Sequence, residues 1–262
     1  MASRKLNKTR FAARADLTPV KLSRLLKGEQ KACAQDIQKL IINLDLPKKD
    51  ACLLTQLSIG TRKNDGWRGD RATVPKWFRI VHETELDATE IRNWTPHSLP
   101  GPLQSELLVL SLYQLDGAVD MTPQVRMREA RKKLFGSRHL KRYDCVVGES
   151  FFNHLPLQHS REVAYDQICH LRDAIPRERA LSFRVLPISA EVRFLYPEYL
   201  VLHFEHDPLD FVFIEHLTRG ITIPPGKEMD QYLTLWREIS DAALSPRQTA
   251  EFLTARAELL RP

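Results

Sequence analysis

The chain has 262 residues, 43% of them hydrophobic, with 39 Lys and Arg against 33 Asp and Glu. Its length suits one large domain or two modest ones, and its composition is that of an ordinary soluble globular protein. No apolar run approaches the roughly eighteen residues of a membrane span, and MASRKLNKTR has no apolar signal core.

Four cysteines, Cys33, Cys52, Cys145 and Cys169, lie far apart without a C-x-x-C spacing. Neither a zinc clip nor a disulfide framework is suggested, and a reducing cytoplasm is the expected location. Charge is unevenly spread: residues 1–74 hold 16 Lys and Arg against 7 Asp and Glu, whereas the remainder holds 23 against 26. A basic module joined to a near-neutral body fits a polyanion at one end, although a solvated charged face gives the same balance.

In chain order, residues 1–59 read as wholly helical. A short helix is expected over Lys8 to Ala15, capped by Asn7 and burying Phe11, Ala12 and Ala15. Asp16 is one of the few non-glycine residues tolerated in a left-handed turn. Thr18 and Pro19 then supply the N-cap and first residue of a second helix. That helix should turn Leu22, Leu25 and Leu26 inward and Lys21, Ser23, Arg24 and Lys27 outward, with Gly28 as its stop. Apolar residues continue at helical spacing through Ile37, Leu40, Ile41 and Leu44, then Cys52 to Leu57. Residues 60–75, GTRKNDGWRGDRATVP, lose the period and read as a linker.

Residues 76–262 mix helices and strands. Helices are expected at Lys76–Leu86, Leu103–Leu115, Pro123–Phe135 and Ser160–Ala174, and two close the chain at Lys227–Ala243 and Pro246–Leu260. Strands are expected at Thr89–Trp94, in YDCVVGES, and in LSFRVLP, YLVLHF and FVFIEHL, with ITIPPG ending the block. Without regular βαβ alternation the fold class is α+β: an all-α N-terminal domain followed by a larger α+β domain.

The segment NKTRFAARADLTPVKLSRLLKGE resembles the repressor-type (XRE-like) helix-turn-helix of transcriptional regulators. Phe11-Ala12 matches the family's L-A pair and Ala15-Asp16 its A-G turn. Thr18 matches the serine cap, and Leu22-Ser23-Arg24 and Gly28 match directly. Asp16, Lys8 and Lys27 replace the usual glycine, glutamine and asparagine. The family fold opens with a further helix, but only MASRK precedes Leu6, so that helix is expected to be absent.

The resemblance implies double-stranded DNA as partner. The contact set is Lys8, Thr18, Val20, Lys21, Ser23, Arg24 and Lys27, with Lys21 and Arg24 nearest base edges and Lys8 and Lys27 on phosphates. Two copies are expected, since half-sites of such folds are read by dimers.

IRNWTPHSLPGPLQS resembles the W-x-P-x-x-V-P-G-L-L-Q-T signature of a domain of unknown function common in actinomycete regulators. VRMREARKKL, VVGESFFNHL, FRVLPIS and FVFIEHLTRG resemble its later blocks in order. That likeness implies a regulator, often encoded near a small acidic partner protein.

Trp94 beside Pro96 and the Pro100-Gly101 bend is a candidate ligand or partner surface; the alternative is a turn anchored in the core. Glu149 and Glu215, at strand ends, are candidates for an acid/base pair or clamp, or for ordinary solvated carboxylates. In HFEH, His203 and Glu205 share a face while His206 points away, so no metal site is expected. No cofactor motif and no nucleophile motif occurs, and an enzyme is not expected. The rival readings are an antitoxin-like interaction module with vestigial DNA binding and, behind it, an enzyme using the glutamate pair.

Overall fold

A computed structural model of the chain describes residues 7–26, 34–44, 78–115, 131–192, 197–205 and 207–262. The chain divides into two compact units, Met1–Arg68 and Gly69–Pro262. The boundary falls inside residues 60–75, which lie outside the described residues, as do the expected helix Pro123–Phe135 before Arg131 and the apolar run from Cys52 to Leu57.

In the first unit, α1 (Lys8–Arg14), α2 (Pro19–Leu26) and α3 (Ala34–Leu44) follow one another. Asn7 caps α1: its Oδ1 accepts from the N–H of Thr9 at 3.0 Å and of Arg10 at 3.3 Å. Asp16 ends the helix at φ 49°, the left-handed conformation expected of it. The turn is closed by Leu17 N–H donating to the Ala12 carbonyl at 2.9 Å. Thr18 Oγ1 then accepts from the Lys21 N–H at 3.1 Å and starts α2. Phe11, Ala12, Ala15, Leu17 and Leu22 form the core, with Leu40 and Leu44 of α3 packed against it.

Three cations tie the unit together. Lys39 Nζ donates to the Asp16 carboxylate at 2.7 Å and to the Asp16 carbonyl at 3.0 Å. Lys21 Nζ donates to buried Asp36 at 2.6 Å, and Arg14 donates to the Asn43 carbonyl. Hydrogen bonding from Lys39 and its charge hold the Asp16 carboxyl below the ordinary aspartate value.

In the second unit, six strands form one mixed sheet: β1 (Glu90–Thr95), β2 (Arg142–Gly148), β3 (Leu181–Leu186), β4 (Tyr199–His203), β5 (Phe211–His216) and β6 (Arg219–Ile223). Their order is β3-β2-β1-β4-β5-β6. The first three strands run parallel, and β4, β5 and β6 each run antiparallel to the preceding neighbour in the sheet. The parallel strands require crossovers. α5 (Glu106–Leu115) joins β1 to β2, and α6 (Glu149–Gln158) with α7 (Arg161–Ala174) joins β2 to β3. The chain ends in α8 (Lys227–Ala242) and α9 (Pro246–Leu260), the latter opened by a Ser245–Gln248 capping box.

Both faces of the sheet are covered. Ile91, Tyr143, Cys145, Phe183, Leu202 and Phe213 share one core with Leu108 of α5, Ile168 and Leu171 of α7 and Leu253 of α9. Trp94, Val146, Tyr199, Val201 and Val212 share the other with Met229, Trp236 and Ile239 of α8. β3 lies at the sheet edge, where its Val185 carbonyl accepts from Leu244 N–H at 2.8 Å. The segment between α8 and α9 thus satisfies part of that edge.

Two expectations need correction here. Leu26 is 51% exposed instead of turned inward: it lies only about 40° round the helix from Leu22, but as the last residue of α2 it falls beyond the residues that make up the unit's core cluster. Residues from Glu149 onward form α6, so Glu149 opens a helix and does not end a strand. Pro156 inside that helix masks its sequence signal.

α4 (Arg79–Thr84) and the following 3-10 turn, Glu85–Asp87, carry a sealed ion pair. Arg131 Nε and Nη2 donate to the two Glu85 carboxylate oxygens, each at 2.8 Å. Both residues are buried, and the guanidinium lies 5.2 Å over the Phe78 ring. Burial alone would push the Glu85 carboxyl up, but the charge and hydrogen bonds of Arg131, with His82 close by, reverse this and hold it below the ordinary glutamate value.

Glu85→Gln should leave a buried guanidinium without its counter-charge and destabilise this unit by about 3 kcal/mol. Replacing both partners by apolar residues of similar volume should cost far less; urea unfolding of the three variants measures the difference. Because the folded-state carboxyl titrates below its unfolded value, the pair's contribution is complete above the unfolded glutamate range. It should be lost as pH falls through the depressed value, and Glu85→Gln should flatten that acid limb.

Candidate functional site

The candidate DNA-contact residues cluster on the first unit, and the structure sorts them by availability. Lys8, Thr18, Val20 and Arg24 are exposed, with Val20 at 61%. Ser23 is half-buried, and Lys27 lies outside the described residues. Lys21 departs from its expected place at the base edges: its ammonium turns toward α3 and binds Asp36, which is 3% exposed. A buried carboxylate is stabilised by a cation, and Lys21 supplies one. Arg24 is exposed, so the outward basic face of α2 rests on it among the described residues.

In the second unit Trp94, Glu149 and Glu215 are not brought together. Trp94 is completely buried, among Val146, Tyr199 and Trp236 on the α8 side of the sheet. It therefore anchors the core instead of lining an open ligand surface. Glu149 accepts from Arg256 Nη2 at 2.9 Å and from Ile188 N–H at 3.0 Å, binding the start of α6 to α9 and to the end of β3. Glu215 is exposed on β5, and its charge acts on Arg131. β2 and β5 are separated by β1 and β4. Three strand spacings put β2 and β5 about 14 Å apart, and Glu149 is held toward Arg256 and Ile188, so the two glutamates form no acid/base pair.

Around Glu149, the carboxyl ends of β1, β2 and β3 gather polar groups that sequence reasoning missed. Ser150 Oγ donates to the Pro96 carbonyl at 2.7 Å and lies 3.0 Å from His97 Nδ1. His154, one turn further along α6, places its ring 6.5 Å from that of His97. The loop after β1 packs so tightly that a side chain on Gly148 would meet the Pro96 carbonyl at 2.5 Å. Thr95 and Ser98 brace the same loop, Thr95 Oγ1 donating to the Ser98 carbonyl at 2.8 Å and Ser98 Oγ to Glu198 at 2.7 Å.

Buried Gln167 on α7 holds the next stretch, accepting from Ser105 N–H at 2.7 Å and donating to the Leu103 carbonyl at 3.0 Å. Ser150 and His154 would have been found as an i, i+4 pair had α6 been recognised. Nothing local pairs either of them with His97.

No group of three or more metal-ligating side chains is present among the described residues. His203, flagged by the HFEH motif, gives its Nδ1 to Asp210 at 2.6 Å, and His206 lies outside the described residues. Cys145 is completely buried, and burial pushes its thiol well up.

The covered mixed sheet and its braced carboxyl edge define an α+β domain occupying most of the second unit. The family of the domain of unknown function DUF5753 matches residues 78–255, and the chain belongs to that family. No curated protein and no solved structure matches the chain.

The Glu149–Arg256 pair is three-quarters buried, with side-chain exposures of 22% and 26%. A double-mutant cycle with Glu149→Gln and Arg256→Met should give a coupling energy of about 1 kcal/mol in thermal unfolding. A coupling near zero would remove this pair as the brace between α6 and α9.

Proposed function

We propose that the protein is a sequence-specific DNA-binding transcriptional regulator of the cytoplasm. In this reading the family domain senses a ligand or binds a partner protein, a small acidic one being the expected kind. The observation that supports it best is the outward face of α2. Leu22 is buried in the unit's core, while Val20 and Arg24 stand in solvent just beyond the Thr18 cap. A helix held by a tight turn, apolar inside and cationic outside, is what entry into a major groove requires. Its N-terminal end suits a phosphate, and Lys8 adds a further cation nearby in sequence.

Two copies read two half-sites in this scheme, with the family domain supplying the dimer contacts. No helix of the described residues is long and apolar enough to cross a membrane. The reading is of a binding protein, not an enzyme; the separation of Glu149 from Glu215 weighs against the one catalytic arrangement the sequence offered.

Retention of duplex DNA from the protein's own promoter should be salt-dependent in a gel shift. Lys8→Ala should flatten the log–log salt slope by about 0.9. Arg24→Ala should weaken binding about tenfold or more, the loss of one bidentate base contact. Equal retention by wild type and Arg24→Ala, or no salt-dependent retention of any duplex, would overturn the proposal.

A further inference from the structure

The geometry points to the identity of the bases read: a thymine methyl by Val20 and, about two base steps away, a guanine by Arg24, with Lys21 excluded from base contact. This rests on the DNA-binding reading of α2. Successive residues of a helix are rotated by about 100°. Measured from Val20, Arg24 lies about 40° round the helix, Lys21 about 100° and Leu22 about 200°. The buried position of Leu22 and the Lys21–Asp36 pair at 2.6 Å fix the inward and α3-facing sides. The opposite side presents Val20, 61% exposed, with exposed Arg24 one turn beyond it.

A β-branched apolar side chain in solvent contributes nothing to this unit's core. In a major groove it meets the one apolar group a base pair displays there, the C5 methyl of thymine. The guanidinium of Arg24 matches the paired acceptors O6 and N7 of guanine. Four residues of helix rise about 6 Å, close to two base steps of 3.4 Å. Lys21 carries the same charge as Arg24, but its ammonium is held at 2.6 Å by the buried Asp36 carboxylate, and reaching a base would mean breaking that charge-assisted bond. Its work is to hold α2 on α3, and Arg24 alone of the two is free to discriminate.

The test is selection of bound sites from a random-sequence duplex pool by the full chain and three variants. Wild type should enrich a thymine and a guanine two steps apart. Val20→Ala should lose the thymine preference, and Arg24→Ala the guanine preference. Lys21→Gln should select the wild-type site while unfolding at a lower temperature.

Replacing that thymine by deoxyuridine, which lacks only the methyl, should weaken wild-type binding roughly fourfold, the effect of one buried methyl-sized group. It should leave Val20→Ala unchanged. Enrichment of a site whose sequence and methyl dependence ignore Val20, or follow Lys21, overturns the inference while leaving DNA binding intact. A pool from which no duplex is enriched, even at low salt, overturns both.

Discussion

β2 is the element on which the second unit is built, because six of its seven residues are buried. A strand sealed on both faces has to lie inside its sheet, with a neighbour on each edge and helices above and below. Its parallel pairing with β1 and β3 demands crossovers, and these place α5, α6 and α7. The close approach of the Pro96 carbonyl to Gly148 follows from the same packing. So does the gathering of His97, Ser150 and Glu149 where the three strands end. Trp94 and the two candidate glutamates serve this framework: Trp94 fills the α8 side, Glu149 ties α6 to α9, and Glu215 adds its charge to the field around Arg131.

The first unit shows how poorly a count of charges measures a charged surface. Arg14, Lys21 and Lys39 all hydrogen-bond within the unit, to a carbonyl or a carboxylate of another helix or of the turn between α1 and α2. Among the described residues of the first unit, three helices share a core cluster of five buried residues, and these polar bonds between its elements supplement that core. The excess of bases in residues 1–74 is therefore partly structural, and in the proposed DNA-binding reading the contacts would fall to bases that stand outward among the described residues. Arg24 is the clearest of them.

Both units carry ionic ties between residues distant in sequence, but of different kinds. Glu85–Arg131 is bidentate and wholly enclosed, and its loss of one partner would leave an uncompensated charge. Lys39–Asp16 is open to solvent and adds chiefly the geometry of the turn it grips. Placing a carboxylate on the left-handed residue of that turn lets α3 hold the conformation from outside, where glycine would only permit it.

Much of the fold was legible. Asn7, Asp16, Thr18 with Pro19, and Ser245 with Gln248 each set a helix boundary through bonds to residues within a few positions. A linear reading finds such bonds because both partners lie in view. The alternation of β3 and the short apolar runs of β4 and β5 were equally plain, and the outward position of Val20 and Arg24 follows from helical spacing once Leu22 is known to be inside. α6 was hidden by Pro156, and the environment of each candidate site residue was settled elsewhere in the chain. Lys21 meets Asp36 fifteen residues on, Glu149 meets Arg256 across 107 residues, and Ser150 meets His97 across 53. Caps and periods are short-range properties that the sequence determines by itself. Whether a charged side chain is free or already bound is decided by which elements the topology brings within 3 Å of it, and that was left to the tertiary structure.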